Sequence, residues 1–235
     1  MEYLENQFRR FTFFLETDSK ETMPSFSKLD RATLNTVGIL NVEEYQKEHQ
    51  LFFVVDAQPE MSHTDVKKAF IRAQRMLNSL ENQKDINHNS LIEVAPLERI
   101  FELDQKKSYE PQKGQLKTKL GKCKRFVWTL LLEENPELIN EYRKVHSIGQ
   151  AWPQITKNMK QVGVKDMEIY LYSNQAILIM DTKPDFDLEK VAPIWQNLPK
   201  ESEWQEYVAK FQRTSPESAI QEKWTDMKKV NVNKK

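Results

Sequence analysis

Residues 37–70 and 162–195 of this chain are two versions of one passage, so the chain is expected to fold as a pair of related units. Val37-Gly38-Ile39 lies over Val162-Gly163-Val164, and from there the two copies run in step without a gap. Glu43 matches Glu168, Tyr45 matches Tyr170, Gln50 matches Gln175, Asp56 matches Asp181, and Phe70 matches Trp195. Upstream, Arg10-Phe11 and the apolar run after it answer Arg125-Phe126 and theirs. Between the matched blocks the second copy is about ten residues longer, and the addition falls at Tyr142 to His146. What both copies share reads as fold; what one copy alone carries is a candidate for function.

Periodicity gives the second copy a strand from Arg125 and a helix opened by Asn135-Pro136, with Leu138, Ile139, Tyr142, Val145 and His146 at helical spacing. A further helical piece ends at Gly163. Two strands follow, Met167 to Tyr172 and Ala176 to Thr182, joined by a short hairpin connection. A helix from Leu188, interrupted near Pro199, and a closing strand near Met227 to Val232 complete the copy. The first copy fits the same order, with a helix at Phe26 to Thr36, a strand pair, a helix from Thr64 to Asn82 and a last strand at Arg99 to Leu103.

The order strand, helix, strand, strand, helix, strand specifies an α+β fold of tandem ferredoxin-like (βαββαβ) plaits. A sheet with helices on one side must cover its other face. Two copies in one chain meet that need as an intramolecular pseudo-dimeric α+β barrel, which leaves the protein a monomer. The division read from sequence is a degenerate copy at 1–104, a polar Lys-rich linker at 105–122 and a second domain at 123–235.

Composition bears on what the chain does mainly by exclusion. Formal net charge is zero, which gives no general pull towards nucleic acid or an anionic membrane. No apolar run reaches the roughly 18 residues of a bilayer span, so the chain reads as soluble and cytoplasmic. The single cysteine, Cys123, rules out an internal disulfide and reads as an unreactive thiol. Five glycines leave no phosphate-binding loop, and no His or Cys cluster has metal-ligand spacing, so neither cofactor nor metal is expected.

Tyr142 and His146, four apart, project from one face of their helix, and a phenol beside an imidazole is equipped for proton exchange with a bound hydroxyl. All five tryptophans, Trp128, Trp152, Trp195, Trp204 and Trp224, lie in the second copy. An indole suits the apolar C–H face of a pyranose, and it also fills cores. Trp195, aligned with Phe70, and Trp128, set among leucines, read as core. Trp204 is balanced between core and site. His49, His63 and His88 read as solvated.

The second copy resembles the L-rhamnose mutarotase family, small ferredoxin-like α+β barrel proteins that normally dimerise. The likeness runs from about Lys124 to Val232. It rests on Glu141-Tyr142-x-x-x-His146, Trp152-Pro153, Gly163 leading to Glu168-Ile169-Tyr170-Leu171, and Glu203-Trp204-x-x-Tyr207. The resemblance implies His146 as proton donor and Tyr142, Trp204, Gln205 and Met167 as substrate-binding positions, the last two standing where family members usually carry a tryptophan and a tyrosine. It implies a cofactor-free mutarotase acting on L-rhamnose or a related 6-deoxy monosaccharide. A catalytically inactive sugar-binding or protein-interaction module of the same fold is the alternative.

Overall fold

The computed structural model describes residues 6–16, 31–81, 94–214 and 223–230. Ten strands and six α-helices are defined there. The first half supplies β1 (Gln7–Glu16), α1 (Arg31–Thr36), β2 (Ile39–Lys47), β3 (Gln50–Ala57), α2 (His63–Glu81), β4 (Glu98–Glu102) and β5 (Gln115–Thr118). The second supplies β6 (Lys124–Leu131), α3 (Pro136–His146), α4 (Pro153–Val162), β7 (Val164–Tyr172), β8 (Gln175–Thr182), α5 (Leu188–Trp195), α6 (Glu201–Ala209), β9 (Thr225–Asp226) and β10 (Lys228–Lys229). The part of the first helix expected at Phe26 to Asp30 lies outside the described residues, as does His88.

The protein is α+β, with two antiparallel five-stranded sheets ordered β10-β2-β3-β1-β5 and β4-β7-β8-β6-β9. Each position in one order has its counterpart in the other. β2 and β7 both carry an irregularity in register near their starts, between Ile39 and Asn41 in one and Val164 and Asp166 in the other. Arg10 pairs with Asp56 across β1 and β3 at 2.8 Å, and Arg125 with Asp181 across β6 and β8 at 2.6 Å. The Tyr45 hydroxyl donates to Glu43 and the Tyr170 hydroxyl to Glu168.

The edges of the sheets are assigned differently from the sequence reading. β4, the expected last strand of the first copy, pairs with β7, and β10, from the end of the chain, pairs with β2. The expected linker is also structured: β5 pairs with β1 after a 3-10 turn at Pro111–Lys113. The described residues accordingly divide into one compact unit of 6–16, 31–81, 94–97, 109–119 and 228–230 and another of 98–108, 120–214 and 223–227, in place of a simple cut at 104 and 123. An edge strand offers a row of unpaired N–H and C=O groups, and a short strand from elsewhere in the chain satisfies them as well as a local one.

In the first unit, Phe11, Phe13, Phe53 and Val55 project from one sheet face into a core with Leu34, Val66 and Phe70. His63, expected to be solvated, is buried beside the Phe11 and Phe13 rings, and its Nδ1 meets Gln112 Oε1 at 2.7 Å. Gly114, at φ +63°, seats the segment before β5; a Cβ there would stand 2.6 Å from the Phe11 ring and 2.8 Å from the Arg10 carbonyl oxygen. Neither a left-handed backbone nor a backbone contact relaxes cheaply. Gly114→Ala is expected to destabilise the protein by about 1–3 kcal/mol, and limited proteolysis should then cut faster within residues 104–119.

In the second unit, Met167, Ile169, Leu178 and Met180 lie in the core cluster that backs the helices. Asn135 caps α3 by accepting from the N–H groups of Glu137 and Leu138, and Pro136 fills the first turn, where no N–H is needed. Gly163, left-handed at φ +104°, stops α4 and turns the chain directly into β7. This start and this stop fix where α3 and α4 stand over the sheet.

Candidate active site

Between the helices and the sheet of the second unit lies a cavity of about 1280 Å³. Met167, Ile169 and Leu178 make an apolar floor, and Tyr142 and His146 enter from α3. Trp204 and Gln205 enter from α6, and Trp152 from the start of α4. Every site residue expected from the sequence therefore reaches one cavity. All five tryptophans line it, Trp128 and Trp195 included, although the sequence placed those two in the core. Both of them are only partly buried against the core cluster, with one side left to the cavity.

The aromatic residues form a connected wall. The Trp204 ring meets His146 edge to face at 5.6 Å and Trp152 at 5.3 Å, while Trp152 stacks on Tyr207 at 5.9 Å. Tyr142 and His146 are 4.2 Å apart between ring centroids. His146 is 6 % exposed, and the Phe101 ring stands edge-on to it at 6.1 Å.

The protonation state of His146 follows from its partner. Nδ1 lies 2.8 Å from the Tyr142 carbonyl oxygen, and a carbonyl only accepts, so Nδ1 carries a proton. Burial holds the imidazole down to about 4, well below its usual 6.5, with the carbonyl opposing in part. Near neutral pH the ring is therefore uncharged and Nε2 is a bare lone pair, with no hydrogen-bond partner among the described residues. Such a ring is set to accept a proton before it gives one, whereas the resemblance implies a donor. Burial also raises the Tyr142 phenol, keeping it a neutral hydroxyl that donates hydrogen bonds.

The same depression links the site to stability. The unfolded histidine takes up its proton near pH 6.5 and the folded one near 4, so the native state loses stability as pH falls through that window. The full cost is roughly 3 kcal/mol. Urea unfolding compared at pH 7 and pH 4.5 is expected to show this loss in the parent and a smaller one in His146→Gln.

Residues 125–232 match the L-rhamnose mutarotase family. Two curated proteins align with just under half of this chain. One is an L-fucose mutarotase of Xanthomonas campestris pv. campestris, 26% identical over 106 residues, covering 45% of this chain and 85% of the relative. The other is a UPF0734 protein of Dictyostelium discoideum, 30% identical over 108 residues, covering 44% of this chain and 85% of the relative. Through its second half, this chain belongs to the L-rhamnose mutarotase family. Among solved structures, an anthrone oxidase-like protein aligns over 97% of this chain and 93% of its own at a TM-score of 0.44 and 13% identity.

In this mutarotase-family unit the sequence reading passed over one buried acid. Glu201, at the first turn of α6, is 3 % exposed and lines the cavity. Its Oε1 accepts from Asn158 Nδ2 at 2.9 Å and from Trp195 Nε1 at 3.0 Å. The signal was available: Glu201 precedes Trp204 by three residues and so shares its helix face. A glutamate in the first turn of a helix is so ordinary, however, that it passes as dipole complement. Among the described residues no group of three or more His, Cys, Asp or Glu side chains is placed to hold a metal ion, and no helix is long and apolar enough to cross a membrane.

Proposed function

We propose that this protein interconverts the α and β anomers of a free 6-deoxy monosaccharide, L-rhamnose or a close relative such as L-fucose, by acid–base ring opening in the cavity of its second unit. The observation that carries this reading is the placement of His146 on the cavity, its Nδ1 tied to the Tyr142 carbonyl and its ring set against the Tyr142 and Trp204 rings. Opening a pyranose requires a base at the anomeric hydroxyl and an acid at the ring oxygen. His146 Nε2 takes the anomeric proton as the carbonyl forms, and returns it after the C1–C2 bond has rotated and the ring closes on the other face.

Binding follows from the remaining wall. Trp204 and Trp152 present ring surface to the C–H face of the sugar, the Tyr142 hydroxyl and the Gln205 amide meet its hydroxyl groups, and the floor containing Met167 accepts the methyl group of a 6-deoxy sugar. A neutral sugar suits this arrangement, and the proton moves between organic groups throughout.

On the same reading the chain is a tandem duplication, a fused pseudo-dimer that works as a monomer with one competent site. The matched strand bounds, the two Arg–Asp pairs and the two Tyr–Glu pairs support that history. Saturation-transfer NMR at the anomeric protons, run on L-rhamnose, L-fucose and D-sugars with and without protein, tests the activity. Accelerated exchange for a 6-deoxy sugar supports it, and unaccelerated exchange for every sugar rejects it in favour of a binding-only module.

A further inference from the structure

Anomer exchange needs an acid as well as a base, and this inference rests on the mutarotase reading. With Nδ1 engaged and Nε2 bare, His146 has no proton to give until it has taken one. The Tyr142 phenol is held the more firmly for being buried. The ring oxygen therefore needs another donor within the cavity.

From the geometry we infer that Glu201 is the general acid of the site, delivering its proton from Oε2 to the ring oxygen while His146 Nε2 receives the anomeric proton. Three observations bear on it. Glu201 and Trp204 are three residues apart on α6, both buried and both lining the cavity, and the Trp204 ring touches the His146 ring. Acid and base thus stand on the same aromatic wall. Asn158 of α4 and Trp195 of α5 both donate to Oε1, and Gln154 Nε2 donates to Asn158 Oδ1, so the carboxyl is fixed through one oxygen and the other is left for substrate. Finally, neither Asn158 nor Trp195 carries charge. Burial therefore raises the carboxyl above its usual range despite these two hydrogen bonds, which favours the protonated form. The other charged groups on the cavity lining are Glu206, Lys210, Lys223 and Asp226.

The step balances without a further reactant. The C1–O5 bond breaks as O5 gains the proton of Glu201 and O1 yields its own to His146, giving the open aldehyde, an imidazolium and a carboxylate. Closure on the other face returns each proton to its owner.

Glu201→Gln tests the assignment, because the amide oxygen can still accept from Asn158 and Trp195 while no ionisable proton remains. Anomer exchange by saturation transfer is expected to fall on the order of 10²-fold, with an unchanged thermal melt. The parent rate should rise through the pKa of His146 and fall as Glu201 ionises; the Gln variant should lose the alkaline fall. Glu201→Ala, which leaves room for a small acid, should regain exchange on addition of formate. A Gln variant as fast as the parent overturns the assignment. So does a slow Gln variant that keeps the alkaline fall, or an Ala variant indifferent to formate, since either marks a residue that only positions Asn158 and Trp195. A parent inactive on every sugar sinks the mutarotase reading and this assignment with it, whereas an active parent with an unaffected Gln variant sinks this assignment alone.

Discussion

His146→Ala is expected to lower the anomer-exchange rate on the order of 10²–10⁴-fold, the range in which a positioned base acts. The effect is large because the ring combines three conditions that alanine removes together. Nδ1 is anchored on the Tyr142 carbonyl, the imidazole is uncharged near neutrality, and the Trp204 and Tyr142 rings hold its plane. Alanine suits a helix, so α3 should persist, but the variant leaves a hole beside Phe101. His146→Gln separates the two losses, since it keeps most of the volume and cannot shuttle a proton. Both variants should be slow if the base is what matters. A fast Gln variant would assign the Ala effect to packing.

The second large effect concerns stability. The Arg99 side chain on β4 is fully buried; it pairs with Glu102 at 2.8 Å and lies 3.7 Å from Glu168, itself buried and bonded to the Tyr170 hydroxyl. Arg99→Met is expected to cost about 3–5 kcal/mol, because Glu168 is left buried without its counter-charge. Urea unfolding monitored by tryptophan fluorescence measures it. Adding Glu168→Gln should recover much of the loss, since removing both charges costs less than stranding one. A single variant as stable as the parent would show that Arg99 does not hold β4 to β7.

Much of the fold was legible because it is written in local signals. The Asn135-Pro136 start, the Gly163 stop and the alternating strands of the hairpin are each decided within a few residues. Strand partnership is not local. Nothing in Arg99 to Leu103 or in Lys228-Lys229 says which sheet they join, because backbone pairing is nearly indifferent to side chains, so both ends of the repeat were placed in the wrong sheet. The stretch before β5 looked like a linker for its lysines, while the contact that seats it is made by Gly114, whose role lies in backbone space rather than composition.

The site divides in the same way. Tyr142, His146 and Trp204 could be picked out from spacing and from their absence in the first copy. The protonation of the His146 ring could not, because it depends on a hydrogen bond to the Tyr142 carbonyl and on burial. Glu201 was missed since its meaning comes from Asn158 and Trp195, 43 and 6 residues away in sequence. Trp128 and Trp195 read as core from sequence because a partly buried ring and a fully buried one look alike in a hydrophobic pattern.

The most direct measurement is the anomeric proton exchange rate of L-rhamnose and L-fucose at neutral pH, by saturation-transfer NMR, with increasing amounts of the protein. The account predicts an exchange rate that rises in proportion to protein for at least one 6-deoxy sugar and returns to the spontaneous value with His146→Gln. Spontaneous rates at every protein concentration, for both sugars and for D-sugars, would contradict it.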